Sequence, residues 1–172
     1  LMFPSVRHWI SLNPGAAFAL ALLLYTASQV PGLADTPPVG GDEAWVAGVG
    51  RAWRMDGRLR NPMLDQIWPE PLAVLQDAQM CNGWIGYITG LGAWTRIVGE
   101  DLWSQRLSSW LLGSAAIGLA YVVAARFGGP AAGRWAAALL ATRSLFWASS
   151  RMVRPDTAMA LLFLATFALW LR

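Results

Sequence analysis

Lysine is absent from these 172 residues, and cysteine and histidine occur once each. A lone Cys81 rules out a disulfide framework within the chain, and no histidine stands near it in sequence to activate a thiol. His8 precedes the first apolar block and reads as a solvated flanking residue. Charge is sparse too, at 13% of residues, with a formal net charge of +3 whose cations are all arginine. These arginines are scattered between apolar blocks, which argues against nucleic-acid binding. Their planar guanidinium forks suit lipid headgroups or an anionic lipid substrate. There is no internal repeat or low-complexity tract, and no His/Cys/carboxylate spacing that marks a metal.

What is abundant is apolar. Hydrophobic residues make up 56% of the chain, against roughly 45–50% in soluble domains, and mean hydropathy is +0.41. The excess falls in four blocks, 15–33, 107–125, 131–149 and 157–172, separated by Pro-, Gly- and Arg-rich stretches. A spanning helix needs about 20 residues at 1.5 Å each. The first three blocks meet that length, and the fourth is still apolar at Arg172. The pattern predicts an all-α polytopic membrane protein with about four spans, read as the N-terminal part of a longer one. Several of the eleven tryptophans (Trp103, Trp110, Trp135, Trp147, Trp170) sit at block edges, where such rings favour the headgroup layer.

Arg7 and His8 before the first block suggest a cytoplasmic N-terminus. Residues 34–106 then form a long outer loop, the connector 126–134 lies inside, and the turn 150–156 lies outside. Arg151 and Arg154 in that short outer turn break the positive-inside pattern unless they have a task. A cleaved signal peptide ending at Gly32-Leu33-Ala34 is a competing reading of the start. Residues 83–98 make a weaker apolar stretch that suits a re-entrant or interfacial helix; if it spanned, everything after it would invert. The arginine bias with abundant Ala and Gly suggests a GC-rich bacterial genome, hence an inner membrane.

The outer loop opens with Gly40-Gly41-Asp42-Glu43 and an amphipathic run. Trp45, Val46, Val49, Ala52 and Trp53 share one stripe, with Arg51, Arg54 and Arg58 opposite. The pattern predicts a helix lying apolar side down on the membrane. Asp42 has two readings that can coexist: an N-cap, with Glu43 in the first turn, or a carboxylate poised to take a proton from a hydroxyl. Ser149 to Asp156 is a second constellation, in which Pro155 starts the next helix and Asp156 lies in its first turn. Its arginines read either as snorkelling side chains or as an anion site. Arg143 stands inside the third block, where an ionisable residue is costly and defaults to a functional hypothesis, with snorkelling as the plainer account.

Three features together resemble the GT-C class of polyprenyl-phosphate-sugar-dependent glycosyltransferases, which includes protein O-mannosyltransferases, the aminoarabinose transferase of lipid A and Rgt-type lipopolysaccharide transferases. They are the acidic pair Asp42-Glu43 after one span, the run Gly99-Glu100-Asp101…Arg106-Leu107-Ser108-Ser109…Gly113…Tyr121…Arg126, and the turn Ser150-Arg151…Asp156. The chain departs from many members after the surface helix, where Pro69-Glu70-Pro71-Leu72 and Asn82 to Tyr87 replace a Pro-Pro-Leu-Tyr-Tyr-like segment. The resemblance covers about residues 10–172. It implies an inverting hexosyl- or pentosyltransferase on the extracytoplasmic face. The sugar moves from a polyprenyl-phosphate donor to a hydroxyl of a lipid, glycan or protein. Asp42 and Glu43 would be catalytic, with Asp42 deprotonating the acceptor. Arg58, Arg151 and Arg154 would receive the donor phosphate, supported by Asp156 and Arg143. The class is split on metal use, which leaves a divalent cation open, and the family's remaining spans would be needed for activity. A non-enzymatic membrane protein is the alternative, either a transporter or scaffold or an inactive GT-C-like subunit. Transporters place charges near the midplane, whereas here they gather at one surface.

Overall fold

A computed structural model describes residues 14–61 and 84–171. They form six helices and no strand: α1 (Pro14–Ala27), α2 (Gly41–Asp56), α3 (Ile85–Val98), α4 (Leu102–Thr142), α5 (Ser144–Ser150) and α6 (Asp156–Trp170). Among the described residues only Leu102–Thr142 is long and apolar enough to cross a membrane; α1 and α6 are apolar but shorter.

If straight, α4 would run about 60 Å at 1.5 Å per residue, twice the hydrocarbon thickness. It folds back instead. Gly128 and Gly129 leave helical geometry, Gly129 at φ +74° where only glycine is comfortable, and Pro130 starts the return arm. The arms lie against each other. A Cβ on Gly133 would stand 2.8 Å from the Tyr121 carbonyl oxygen, and Ile117 packs with Ala137 and Ala141. The second and third blocks are therefore one hairpin, with its turn inside the expected 126–134 connector. Asp101 caps the first arm by accepting from the Ser104 N–H at 2.8 Å.

The other helices take their places from this hairpin. Helix α1 lies on it through Phe18 and Leu22, the Tyr25 hydroxyl donates to the Ala141 carbonyl (3.1 Å), and Trp110 donates to the Thr26 carbonyl (3.1 Å). Helix α6 starts directly after Pro155, as its spacing predicts, and ends beside the hairpin turn, where Phe127 stacks on Phe167 at 6.0 Å. The segments 28–43, 84–109 and 147–157 thus share one end of the molecule, opposite the 128–129 turn.

Four expectations change. The apolar stripe of α2 is not bare for a membrane: Val46 and Val49 are buried against Ile88 and Leu91 of α3 and against Val153. Gly92 makes the close crossing, since a Cβ there would sit 2.5 Å from the Trp53 ring. On its polar side, Arg51 and Arg54 both pair with Glu100. Second, Asp42 is not the N-cap; Gly40 is, without a side-chain bond, and Asp42 lies in the first turn. Third, the 131–149 block is not one helix. It breaks at Arg143, whose ψ is 122°, just after Thr142 turns its hydroxyl back onto the Ala138 carbonyl. Fourth, the first block stays helical only to Ala27, after which turns with Gly32 at φ +76° lead to a fully buried Leu33. Of the edge tryptophans, Trp135 and Trp170 are widely exposed, whereas Trp110 and Trp147 hydrogen-bond within the protein.

Candidate active site

The acidic pair is divided by the fold. Glu43 is fully buried, whereas the side chain of Asp42 is 75% exposed. Arg106, from the opening turns of α4, meets Glu43 as a two-pronged fork, Nε to Oε1 and Nη2 to Oε2, each at 2.7 Å. Its remaining Nη1 donates to the Leu33 carbonyl at 2.7 Å, and Arg106 is itself 0% exposed. Glu43 Oε1 also accepts from the backbone N–H of Val153 at 2.9 Å. One carboxylate therefore ties α2 to α4 and to the 150–156 turn.

Arg151 turns inward in the same way. Its guanidinium donates to the backbone carbonyls of Gln29, Gly32 (2.9 Å) and Thr36 (2.9 Å), and lies 5.0 Å over the Trp147 ring. Burial lowers its pKa from the usual arginine value, and the nearby positive Arg106 lowers it further. Three of its five N–H groups are taken by carbonyls and the side chain is buried, so Arg151 braces this turn. Arg154 behaves differently. Its Nε lies 2.9 Å from Asp156 Oδ2, its Nη2 lies 3.7 Å from Asp42 Oδ2, and it stays 37% exposed. The structure thus brings Asp42, Arg154 and Asp156 together at an accessible place. It does not bring Arg58 or Arg143 there. Arg58 is exposed beyond the far end of α2, and the helix alone carries the chain about 21 Å from Asp42 to Asp56 at 1.5 Å per residue. Arg143 is exposed in the break before α5.

Beside this cluster lies an apolar cleft of about 650 Å³ between α3, the first arm of α4 and the start of α6. Trp84, Leu91, Leu111, Leu112 and Leu162 are among its apolar lining, and Pro155, flanked by Arg154 and Asp156, lines it too. Tyr87 and Ser108 are polar groups on that wall, and the Tyr87 hydroxyl is 2.9 Å from Ser109 Oγ. Burial pushes the phenol up to about 12, and the negative charges of Glu43 and Asp156 push the same way, so Tyr87 is neutral at physiological pH. Among the described residues no three His, Cys, Asp or Glu side chains gather as a metal site.

Sequence reasoning left two parts of this arrangement unassigned. Arg106 is a charge in the opening turns of an apolar span, a signal that was available. Tyr87 carries no comparable mark, because its role depends on α3 folding back against α4. Among known families, the one described as dolichyl-phosphate-mannose-protein mannosyltransferase matches residues 85–172. That range takes in Tyr87, Arg106, Arg151, Arg154 and Asp156, and leaves the acidic pair outside. No curated protein matches, and no solved structure does.

Proposed function

Because the chain belongs to the dolichyl-phosphate-mannose-protein mannosyltransferase family, and so to the membrane glycosyltransferases of the GT-C type, we propose that it transfers a sugar from a polyprenyl-phosphate donor to an acceptor hydroxyl, with inversion, on the extracytoplasmic face of a bacterial inner membrane. Mannose, named in the family's description, is the first sugar to try, and the acceptor is a lipid, glycan or protein. The observation that carries the proposal is Arg154, held between Asp42 and Asp156 where a 650 Å³ apolar cleft opens beside Pro155. A lipid phosphate needs that combination: an apolar channel for its tail that ends at a cation.

In this scheme α1, the two arms of α4 (the second continued by α5) and α6 cross the membrane, while α2 and α3 lie outside. Wide exposure of Leu23 and Leu24 on α1, Leu139 on α4, and Leu162, Phe163 and Trp170 on α6 supports lipid contact, since such surface is unfavourable in water. Asp42 takes the proton of the acceptor hydroxyl, whose oxygen attacks the anomeric carbon from the face opposite the phosphate. The bond from that carbon to the phosphate oxygen breaks, and its electron pair leaves on the phosphate. Arg154 moves from Asp42 onto the phosphate and stabilises that charge. Asp156 orients Arg154. Glu43 acts as a positioning residue, holding α2 against the turn that carries Arg154, and Arg151 holds the same turn to the end of α1. Arg58 and Arg143 lie outside this arrangement. A clustered surface charge at one end also suits chemistry on a headgroup better than passage of a solute across the midplane.

The test is Arg154→Ala in the intact protein, with donor and acceptor titrated separately. Loss of a charged hydrogen bond is expected to raise the donor KM about tenfold to a hundredfold and leave the acceptor KM unchanged. The reverse pattern removes Arg154 from the phosphate.

A further inference from the structure

The wall of the apolar cleft is interrupted at one level by hydroxyls. Tyr87 and Ser108 line it, Tyr87 is bonded to the fully buried Ser109 at 2.9 Å, and Ser108 Oγ donates back to the Gln105 carbonyl at 2.7 Å. We infer that the Tyr87 hydroxyl, seated on Ser109 in the wall of this cleft, hydrogen-bonds a hydroxyl of the sugar being transferred and so helps to select that sugar. The inference rests on the donor assignment above and adds a specificity-determining contact to it.

The chemistry of the notch favours a neutral polar group over a charge. Arg154, which suits the phosphate, is next to Pro155 of the lining and is not itself part of it. Tyr87 packs against the buried cluster that contains Val153, the residue next to Arg154, so it lies at the level of the charged cluster. A phenol that stays protonated offers one donor and one acceptor, which match a sugar hydroxyl. Either oxygen of the Tyr87–Ser109 pair can donate to the other. When Ser109 donates, the phenolic proton is left for a ligand in the cleft. Sites built to hydrogen-bond a substrate hydroxyl discriminate strongly, because a ligand without it leaves a buried polar group unpaired. With the tail in the cleft and the phosphate at Arg154, the sugar is the part of the donor that brings neutral hydroxyls to this level.

Two probes separate the possibilities in the intact protein in nanodiscs: polyprenyl-phosphate mannose and bare polyprenyl phosphate. Tyr87→Phe keeps the ring and deletes only the hydroxyl. It is expected to weaken the sugar-bearing probe about tenfold and leave the bare lipid phosphate unchanged. Ser109→Ala, which removes the partner that orients the phenol, is expected to give the same split at smaller size. An equal loss on both probes would make Tyr87 a phosphate or purely structural contact, and no loss on either would also overturn the inference. If the unaltered protein binds the sugar-bearing probe no better than a lipid lacking phosphate, the donor assignment falls and this inference falls with it.

Discussion

The two ends of the helical bundle are held by opposite chemistries. At the 128–129 turn the helices meet through a ring stack and a close glycine approach, with no ion pair among the described residues. Phe127 stacks on Phe167 of α6, Gly133 lies close on Tyr121 and Ala125 across the hairpin, and the Arg126 link to the Ala168 carbonyl at 3.3 Å is on the surface. At the other end a buried fork between Arg106 and Glu43 and a carbonyl-bound Arg151 do the joining. Burying two charges costs several kcal/mol per ion before their attraction offsets it, and well-packed apolar groups often hold as well. The turn end demonstrates that this chain can join helices without ions. The ion pair therefore makes most sense as a placing device, since its carboxylate is adjacent to Asp42 and grips the N–H adjacent to Arg154.

The contrast can be broken at graded cost. Glu43→Ala leaves Arg106 buried without a counter-ion, and the expected loss is about 3–5 kcal/mol, read as thermal unfolding of the protein in detergent. A loss below about 1 kcal/mol would mean that the pair behaves as a surface pair does. A smaller effect is expected from Gly113→Val. A Cβ at Gly113 already stands 2.7 Å from Ser150 Cβ, so overpacking there is expected to cost about 1–3 kcal/mol, whereas Gly118, with nothing within 4 Å of its Cβ, accepts the same change. Equal effects at the two glycines would show that the α4–α5 contact does not set the position of the Arg151 turn. As the control at the opposite end, Arg126→Ala is expected to stay within about 0.5 kcal/mol.

Much of the frame is legible in the sequence, because it depends on local signals. The apolar blocks mark α1, both arms of α4 and α6, and the run Gly128-Gly129-Pro130 marks the hairpin. The out-of-place basic turn is legible too, but its two arginines do different things. Arg154 meets carboxylates, and Arg151 meets carbonyls of a turn more than a hundred residues earlier. The division of the acidic pair is not readable locally. At about 100° per residue, Asp42 and Glu43 both fall within about 60° of Val46, so helix phase does not separate them. The deciding partner is Arg106, 63 residues away. For the same reason α2 looks like a membrane-surface helix in isolation. Its apolar stripe finds α3, and periodicity cannot tell a lipid from a second helix.

Asp42→Asn, assayed for sugar transfer alongside thermal unfolding and membrane insertion, tests the central claim most directly. The side chain is 75% exposed and pairs only loosely with Arg154 at 3.7 Å, so folding and insertion are expected to match the unaltered protein. Transfer is expected to fall about 10²- to 10⁴-fold, the range a general base contributes. Near-normal transfer by a folded Asp42→Asn protein would contradict the account.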